Sequence, residues 1–352
     1  MSLIKNLIQV ITISLLLFLA IDFFVTWSFG ARGFSKFFIH NSVEGRINKP
    51  KFSGRFGSIL DDFSGSVSIG SYGERRSNDF NCNQVENRIL FVGDSTTAGF
   101  EVDDDETFVS LFNSNCAETA STGINLGVRA HDTHAVIGTY MRVRTILNHD
   151  AVVYLMTEND FLENVDPNSY AMMSQRFGRR YEDTVLEPNG DYKFSLYADL
   201  RVFVGDRLSL TTFLLKLLEQ FMRSNSNASS INIMDEEDLK VEVEKAFKLI
   251  QGLSILTAAS NAELYVFPYP RLGDFGTRDR KIKLLADMIN ERLPGVLYLQ
   301  AIDDLVDARL EADGSERIDM RYRNDPHLSE YGHRVMAEII TSVLLSNGSY
   351  ND

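Results

Sequence analysis

Four short segments contain the residue types that nucleophilic catalysis at a carbonyl group needs. Along the chain they are Gly93-Asp94-Ser95, Gly127, Asn159-Asp160 and Asp325-Pro326-His327. A serine hydroxyl becomes a good nucleophile only when a base within hydrogen-bond reach takes its proton. His327 is the candidate base for Ser95, and Asp325 or Asn324 could hold its imidazole ring in the correct tautomer.

A serine nucleophile also needs hydrogen-bond donors for the oxyanion of the tetrahedral intermediate. The sequence offers three, which are the backbone N–H groups of Ser95 and Gly127 and the side-chain amide of Asn159. Each segment alone has a simpler explanation, because Gly-Asp-Ser can form a turn, Asn-Asp a helix cap, and His327 can be an ordinary surface or core histidine. We interpret the four as one site because turn chemistry does not explain their joint occurrence in this order.

Alternating strands and helices would position these segments. Strands are predicted at residues 89–92, 124–126, 151–155, 264–267 and 296–299, and helices at 106–113, 133–147, 241–260, 278–292 and 330–345. This alternation indicates a mostly parallel sheet with helices on both faces. Ligands of such sheets bind just beyond the carboxyl ends of the strands. We therefore expect the four segments to meet at that edge.

The ordered set of segments resembles the SGNH (GDSL-like) hydrolase family. Its four blocks are matched by Gly93-Asp94-Ser95, Gly127, Asn159-Asp160 and Asp325-Pro326-His327. The resemblance covers about residues 65–345, and Gly73 and Arg75 resemble a lead-in region of membrane-anchored bacterial members. It implies a three-layer α/β/α, flavodoxin-like fold, and ester hydrolysis or acyl transfer by a serine without a metal or other cofactor.

Two positions differ from the family pattern. Thr157 replaces the glycine that usually begins the third block, and Asn324 occupies the position, three residues before the histidine, that is usually aspartate. Asp325 lies two residues before His327, a spacing similar to that of some relatives. These departures keep open a non-catalytic, membrane-tethered protein of the same fold. A further alternative is an O-acyltransferase that passes the acyl group to a cell-surface polysaccharide.

Composition limits the other function classes. The chain has 352 residues, of which 44% are hydrophobic and 24% charged, as in a globular protein with a sizeable core. Its net charge of −14 argues against a nucleic-acid partner, which would favour a basic surface. The sequence has no zinc-like Cys/His spacing and no glycine-rich phosphate loop, so no cofactor is predicted.

The N-terminal part of the sequence is strongly apolar. Residues 7–29 consist mainly of Leu, Ile, Phe and Val, and Asp22 is the charged residue among them. A helix needs ~20 residues to span a bilayer, so the segment is long enough. A cleaved signal peptide is the alternative, but the run exceeds the usual ~7–15 residues and no clear small-x-small cleavage site follows. We predict a single membrane anchor.

The predicted parts of the chain are a transmembrane anchor over residues 1–30, an extended arm or linker with short strands over 31–80, and the hydrolase-like catalytic domain over 81–348. An insertion at about 160–240 interrupts the alternation. It contains a predicted hairpin, 184–187 with 192–195, and a predicted helix at 207–223. Specificity would lie there and in the loops after each strand, and the sequence identifies the substrate only as an ester or an acylated glycan.

The two cysteines bear on localisation. Cys82 and Cys116 flank the first predicted strand and the helix after it, so they could meet in space. A disulfide would suit an oxidising compartment, and two buried free thiols are the alternative. The basic residues around the apolar segment do not favour an outward-facing C-terminal part. We place the catalytic domain outside the cytoplasm, in the periplasm or at the cell surface, because of the cysteines and the family resemblance.

The remaining titratable residues have structural interpretations. The acidic run 103–106 is predicted to be the first turn of a helix, where carboxylates complement the helix dipole. His131 and His134 could line the substrate crevice, but their position favours surface histidines at a helix start. His333 is predicted on the final helix, either packed or facing solvent.

Overall fold

Strands and helices alternate along most of the described chain. The structure is a computed structural model that describes residues 2–29, 37–41, 45–57, 62–77, 87–163, 184–186, 192–194, 236–269, 278–300, 302–323 and 325–347. The strands are β1 (Phe38–Asn41), β2 (Gly45–Asn48), β3 (Ser53–Gly57), β4 (Ser64–Ser68), β5 (Asn87–Gly93), β6 (Ser121–Asn125), β7 (Ala151–Met156), β8 (Thr184–Leu186), β9 (Tyr192–Phe194), β10 (Glu263–Pro268) and β11 (Val296–Tyr298). The helices are α1 (Ser2–Phe29), α2 (Ser95–Ala98), α3 (Phe108–Ser114), α4 (Cys116–Thr119), α5 (Thr133–Val143), α6 (Glu158–Glu163), α7 (Glu236–Ala258), α8 (Arg278–Arg292), α9 (Ile302–Asp313) and α10 (Glu330–Asn347).

The central sheet has five parallel strands in the order β6-β5-β7-β10-β11. Numbered along the chain, this is the 2-1-3-4-5 order of flavodoxin-like folds. In that order the chain reverses direction across the sheet between the first and third strands, which opens a crevice at their carboxyl ends. Gly93 at the end of β5 lies beside Leu155 near the end of β7, so the residues that follow both strands meet at this edge.

Helices cover both faces of the sheet because the side chains of each strand alternate between the faces. Ile89 and Phe91 belong to one core and Leu90 and Val92 to the other. The first core is completed by α3, α9 and α10, and the second by α5, α7 and α8. Each large side chain buried here contributes about 1.5–3 kcal/mol relative to an exposed one. The predicted three-layer α/β/α arrangement is confirmed.

Most predicted elements are confirmed within a few residues. Four of the predicted strands coincide with β5, β7, β10 and β11, whereas β6 ends at Asn125, so the predicted second strand is displaced toward its C-terminal end. The predicted helices are present as α3, α5, α7, α8 and α10. Helix α9 was not predicted. Its buried face consists only of Ile302, Val306 and Leu310, a narrow stripe at four-residue spacing among acidic side chains.

The described part of the arm packs onto the segment that follows Ser95. It forms two antiparallel pairs, β1 with β2 and β3 with β4. A third core contains Phe37, Phe56, Phe63, Val67 and Ile69 of the arm together with Ala98 and Phe100. The ring centroids of Phe56 and Phe100 lie 5.4 Å apart in an edge-to-face arrangement. The arm therefore helps to fix the loop that carries the nucleophile.

The N-terminal helix α1 contains an apolar stretch, Lys5–Phe24, of 20 residues with a mean hydropathy of 2.4. Only 6% of this stretch is buried against the rest of the protein. Its length and composition suit a membrane span, but a signal sequence has the same properties. The predicted anchor therefore stays a prediction.

The insertion is described in part. Strands β8 and β9 pair antiparallel with Thr184 opposite Phe194, which confirms the predicted hairpin. The predicted helix at 207–223 lies outside the described residues.

Candidate active site

The nucleophile lies in a turn between β5 and α2. Gly93 ends the strand, and a Cβ there would clash with Thr97 Oγ1 and lie 2.9 Å from the Leu155 carbonyl oxygen. Asp94 caps α2, since its Oδ1 accepts a 2.8 Å hydrogen bond from the Thr96 N–H. Ser95 is the first residue of this short helix and is partly exposed at the carboxyl edge of the sheet.

The structure brings the side chains of Ser95, His327 and Asp325 together. His327 Nε2 lies 2.8 Å from Ser95 Oγ, and its Nδ1 contacts Asp325 Oδ1. The same oxygen of Asp325 accepts a 2.9 Å hydrogen bond from the His327 backbone N–H. When Nδ1–H donates to Asp325, Nε2 has a free lone pair that can accept the serine proton. The alternative partner, Asn324, lies outside the described residues.

Short backbone interactions fix the loop that carries His327. Arg321 and Leu328 form an antiparallel bridge, and the Tyr322 N–H donates to the His327 carbonyl oxygen at 3.3 Å. Helix α10 begins two residues after Leu328. The ring is thus held at the edge of the sheet by its own loop and by Asp325.

Two opposing effects determine the pKa of His327. Burial lowers this pKa, but the Glu101 carboxylate and the hydrogen bond to Asp325 raise it, and the net pKa lies above the ordinary 6.5. Burial likewise raises the pKa of Asp325, but the hydrogen bonds to His327 and the charges of His327 and Arg129 together outweigh it, so the net pKa is lowered. The pair therefore favours an imidazolium next to a carboxylate, the ion pair that forms when His327 takes the proton of Ser95.

Gly127 packs directly against the nucleophile helix. A Cβ at this position would clash with the Ala98 nitrogen and lie 2.6 Å from the Thr97 carbonyl carbon. The Gly127 N–H donates a 3.0 Å hydrogen bond to Asn125 Oδ1, and Asn125 Nδ2 donates to the Thr97 carbonyl oxygen at 2.8 Å. The Gly127 N–H therefore already has an internal acceptor. Its role in binding an oxyanion stays a prediction.

The other two predicted oxyanion donors, Ser95 and Asn159, lie at the starts of two different helices. The Ser95 N–H is at the start of α2, where a helix supplies no backbone acceptor of its own. Asn159 lies in α6, directly after β7, and its side chain lies outside the described part of the structure. The strand ends thus bring both residues to the expected edge of the sheet.

Thr157, which departs from the family pattern, connects two buried carboxyl groups. Its Oγ1 lies 3.1 Å from Asp94 Oδ2 and 3.3 Å from Asp160 Oδ2, and its N–H donates to Asp160 Oδ2 at 2.8 Å. Tyr154 also donates to this oxygen of Asp160, at 2.9 Å. Burial raises the pKa of both carboxyl groups, and Asp94 raises that of Asp160 further. The threonine thereby links the turn after β7 to the turn of the nucleophile.

Arg75, which precedes β5, is buried against the segment that follows Ser95. Its buried guanidinium donates to the carbonyl oxygens of four residues, which are Ser66, Ala98, Gly99 and Val102. Its Nε also pairs with Asp104 Oδ1 at 3.2 Å. Three of these carbonyl groups belong to the segment just after Ser95, so Arg75 fixes the path of this segment.

The acidic run 103–106 does not form the first turn of a helix, so that prediction was wrong. Helix α3 begins at Phe108 and is capped by Thr107. Asp103 Oδ1 instead accepts from the Ser66 N–H at 2.6 Å, and Asp104 Oδ1 accepts from the Ser68 N–H at 2.9 Å. These carboxylates satisfy edge N–H groups of β4, a distant strand that local sequence does not reveal.

Glu101, which was not predicted as a site residue, lies beside His327. Its side chain is 1% exposed, and its Oε1 pairs with Arg129 Nη1 and lies 3.6 Å from His327 Nδ1. One polar side-chain atom of each of Glu101, Asp325 and His327 lies within 4.8 Å of those of the other two. The Arg129 guanidinium supplies positive charge next to them. The signal in the sequence was weak, because Glu101 lies between the apolar Phe100 and Val102 but the acidic run 103–106 follows directly.

Two of the three remaining histidines considered are buried, which corrects the expectation for His131. The His131 ring lies in the interior with Nε2 2.6 Å from the Arg46 carbonyl oxygen, and burial lowers its pKa to about 3. His134 is exposed, as expected for a helix start. His333 is buried on α10 and its Nδ1 accepts from the Phe108 N–H at 3.2 Å, so it is a packing residue.

Cys116 is buried and disulfide-bonded, and no described cysteine is free. Cys82, the other cysteine of the sequence, lies outside the described residues, so the bridge between the two stays a prediction.

Comparison with known proteins gives matches to structures only. No protein-family model and no curated protein matches the chain. TesA is 11% identical, with 73% of this chain and 97% of TesA covered and a TM-score of 0.40. A putative lipolytic protein of the G-D-S-L family from Desulfitobacterium hafniense DCB-2 is 11% identical, with 74% and 100% covered and a TM-score of 0.41. The acetyl xylan esterase AlAXEase is 13% identical, with 73% and 99% covered and a TM-score of 0.41. These identities and scores are too low to assign an activity, which has to be argued from the site itself.

Proposed function

We propose that the protein is a serine esterase of the SGNH type. The observation that carries this proposal is the chain of contacts from Ser95 Oγ through His327 to Asp325. Buried serines often hydrogen-bond to their surroundings, but Ser95 is partly exposed and its hydroxyl meets a histidine whose far nitrogen faces a carboxylate. This is the arrangement that activates a hydroxyl group for attack on a carbonyl carbon.

The reaction has two halves. In the first, Ser95 Oγ attacks the ester carbonyl carbon while His327 Nε2 takes the hydroxyl proton, and the proton then passes to the leaving alcohol as the ester C–O bond breaks. In the second, water attacks the acyl-serine, again with His327 as base, which releases the acid and restores Ser95. The Asp325 carboxylate stabilises the imidazolium in both halves.

The negative charge on the tetrahedral intermediate needs donors near Ser95. The Ser95 N–H at the start of α2 is the first candidate, because α2 offers it no acceptor. Gly127 and Asn159 are the further candidates. For Gly127 to contribute, its N–H has to be shared with or released by Asn125 Oδ1.

Labelling with a fluorophosphonate probe tests the proposal. We expect the detergent-solubilised full chain to be labelled at Ser95, and labelling to vanish in Ser95→Ala and His327→Ala. Ser114→Ala is the matched control, because Ser114 is exposed and its hydroxyl donates to the Leu111 carbonyl oxygen of its own helix at 2.6 Å. Absence of labelling in a folded wild-type sample would instead support the non-catalytic scaffold.

The acyl acceptor distinguishes hydrolysis from acyl transfer. The same acyl-serine could react with a sugar hydroxyl in place of water, and an anchor formed by α1 would hold the site close to cell-surface glycan. Incubation with an activated acetyl ester and a mixture of oligosaccharides separates the two. Acetylated sugar that forms faster than free acetate would favour an acyltransferase, and acetate alone would favour the esterase.

We also propose that the protein is held in the membrane by α1 with its catalytic domain outside the cytoplasm. The disulfide at Cys116 supports an oxidising compartment. Protease digestion of intact and permeabilised cells tests the orientation. Digestion in cells whose outer barrier alone has been opened is the expected result, and protection until the inner membrane is broken would contradict it.

A further inference from the structure

Glu101 places a second carboxylate beside the candidate catalytic histidine. Its Oε1 lies 3.6 Å from His327 Nδ1, the atom that already contacts Asp325. Glu101 Oε2 is buried, and no hydrogen-bond donor in the described part of the chain reaches it. A buried carboxylate oxygen without a donor costs free energy, so the fold retains Glu101 here at the expense of stability.

The two carboxylates belong to different parts of the fold. Asp325 is in the same loop as His327, and its side chain is 24% exposed. Glu101 follows the nucleophile helix α2, and its carbonyl oxygen accepts from the Tyr322 hydroxyl at 3.2 Å. Asp325 therefore orients the ring relative to its own loop, whereas Glu101 relates the ring to the segment that carries Ser95.

The Glu101–Arg129 pair also determines the charge around His327. Glu101 and Asp325 favour the charged imidazole ring, whereas Arg129 opposes it. Asp94 and His333 are further titratable groups that interact electrostatically with His327. With both carboxylates and no Arg129, the ring would be protonated over a wider range of pH and would be unavailable as a base.

We propose that Glu101 is a second positioning carboxylate for His327. Its ion pair with Arg129 sets the net charge next to the imidazole ring. The inference rests on the proposed esterase function. In such a site two acids act on the histidine that activates the serine. Asp325 hydrogen-bonds to His327, and Glu101 interacts with it electrostatically. A single N–H cannot bond fully to both acids, so Glu101 becomes the only carboxylate at Nδ1 when Asp325 is removed.

The test is the rate of fluorophosphonate labelling of the full chain as a function of pH. Glu101→Gln removes a negative charge that stabilises the imidazolium form of His327. The acid limb of the pH profile of labelling should therefore move down by about one pH unit. Arg129→Gln removes the opposing charge, so the limb should move up. Asp325→Ala should keep measurable labelling, and Asp325→Ala combined with Glu101→Gln should lose at least a further tenfold.

Glu242→Gln is the matched control. Glu242 forms a 2.8 Å ion pair with the buried Lys281 and, like Glu101, is a buried acid. It should lower stability without moving the acid limb. Glu101→Asp keeps the charge and should restore most of the wild-type profile.

The outcomes separate the two proposals. If wild-type protein is not labelled at Ser95, the esterase function fails. If it is labelled but Glu101→Gln and Arg129→Gln both keep the wild-type acid limb, as Glu242→Gln should, the inference about Glu101 is wrong. If Glu101→Gln does not fold, the upward shift in Arg129→Gln still decides, because that side chain is partly exposed.

Discussion

Arg75 offers a sharp test of how the arm supports the active site. Its guanidinium is buried, donates to four carbonyl oxygens and pairs with Asp104. Arg75→Met keeps much of the apolar volume but leaves these acceptors without their donor. Each buried acceptor left unpaired costs about 1–3 kcal/mol.

Two effects reduce the summed loss of unfolding free energy in Arg75→Met. Asp104 Oδ1 keeps its bond from the Ser68 N–H, and the Gly99 carbonyl keeps its long bond from the Val102 N–H. Burial also lowers the pKa of Arg75, so its charged form is itself costly and its removal recovers part of the loss. Breaking one partner of a buried ion pair typically costs ~3–5 kcal/mol, and we expect Arg75→Met to fall in this range.

Urea unfolding of the detergent-solubilised protein, followed by circular dichroism, measures this loss. Arg55→Met is the control, because Arg55 is an exposed residue of β3 that donates to Ser64 Oγ at 2.6 Å, and exposed changes cost about 0.5 kcal/mol or less. Arg75→Lys should be intermediate, since lysine keeps the charge with fewer donors. An Arg75→Met variant as stable as Arg55→Met would refute the argument.

Three further predictions concern the nucleophile and its surroundings. Gly127→Ala should abolish labelling of Ser95, because the added Cβ would clash with the Ala98 nitrogen. In contrast, Gly252→Ala should raise the free energy of unfolding by about 0.5–1 kcal/mol, because Gly252 lies inside α7 and a Cβ there would meet no described atom within 4 Å. Thr157→Gly should lower that free energy by about 1–2 kcal/mol, because it removes a hydroxyl between two buried carboxyl groups, and Thr157→Ser should not. The pKa of His327 is raised above 6.5, and the neutral imidazole is the form that acts as a base. The labelling rate should therefore rise with pH through a midpoint above 6.5, and a midpoint below 6.5 would contradict this.

The described arm changes how the parts of the chain relate to one another. Residues 31–80 were predicted as an extended arm or linker, and the described part of this arm packs through Phe37 and Phe56 onto Phe100. Arg75 and the carboxylate contacts of β4 add polar links to the same loop. A catalytic fragment that starts near residue 81 would therefore lack the residues that hold the segment after Ser95.

Much of the fold follows from local sequence. Apolar runs such as Ile89 to Val92, bounded by glycine and polar residues, specify a buried strand whatever the distant sequence is. The alternation of such runs with helical segments is enough to predict a parallel sheet, and the carboxyl ends of parallel strands lie at one edge. The position of Ser95 at this edge was predictable for this reason, whereas His327, 232 residues away, follows no strand of the sheet directly and is brought there by the loop before α10.

The sequence by itself determined which residue types could form the site and in what order the strands and helices carry them. Only the tertiary structure decided which partners those residues meet. The Glu101–Arg129 pair, the carbonyl groups around Arg75 and the hydrogen bond from Asn125 to the Thr97 carbonyl oxygen all join side chains or loops from separate elements. Burial and hydrogen-bond partners depend on how the layers pack, and no local pattern records that packing.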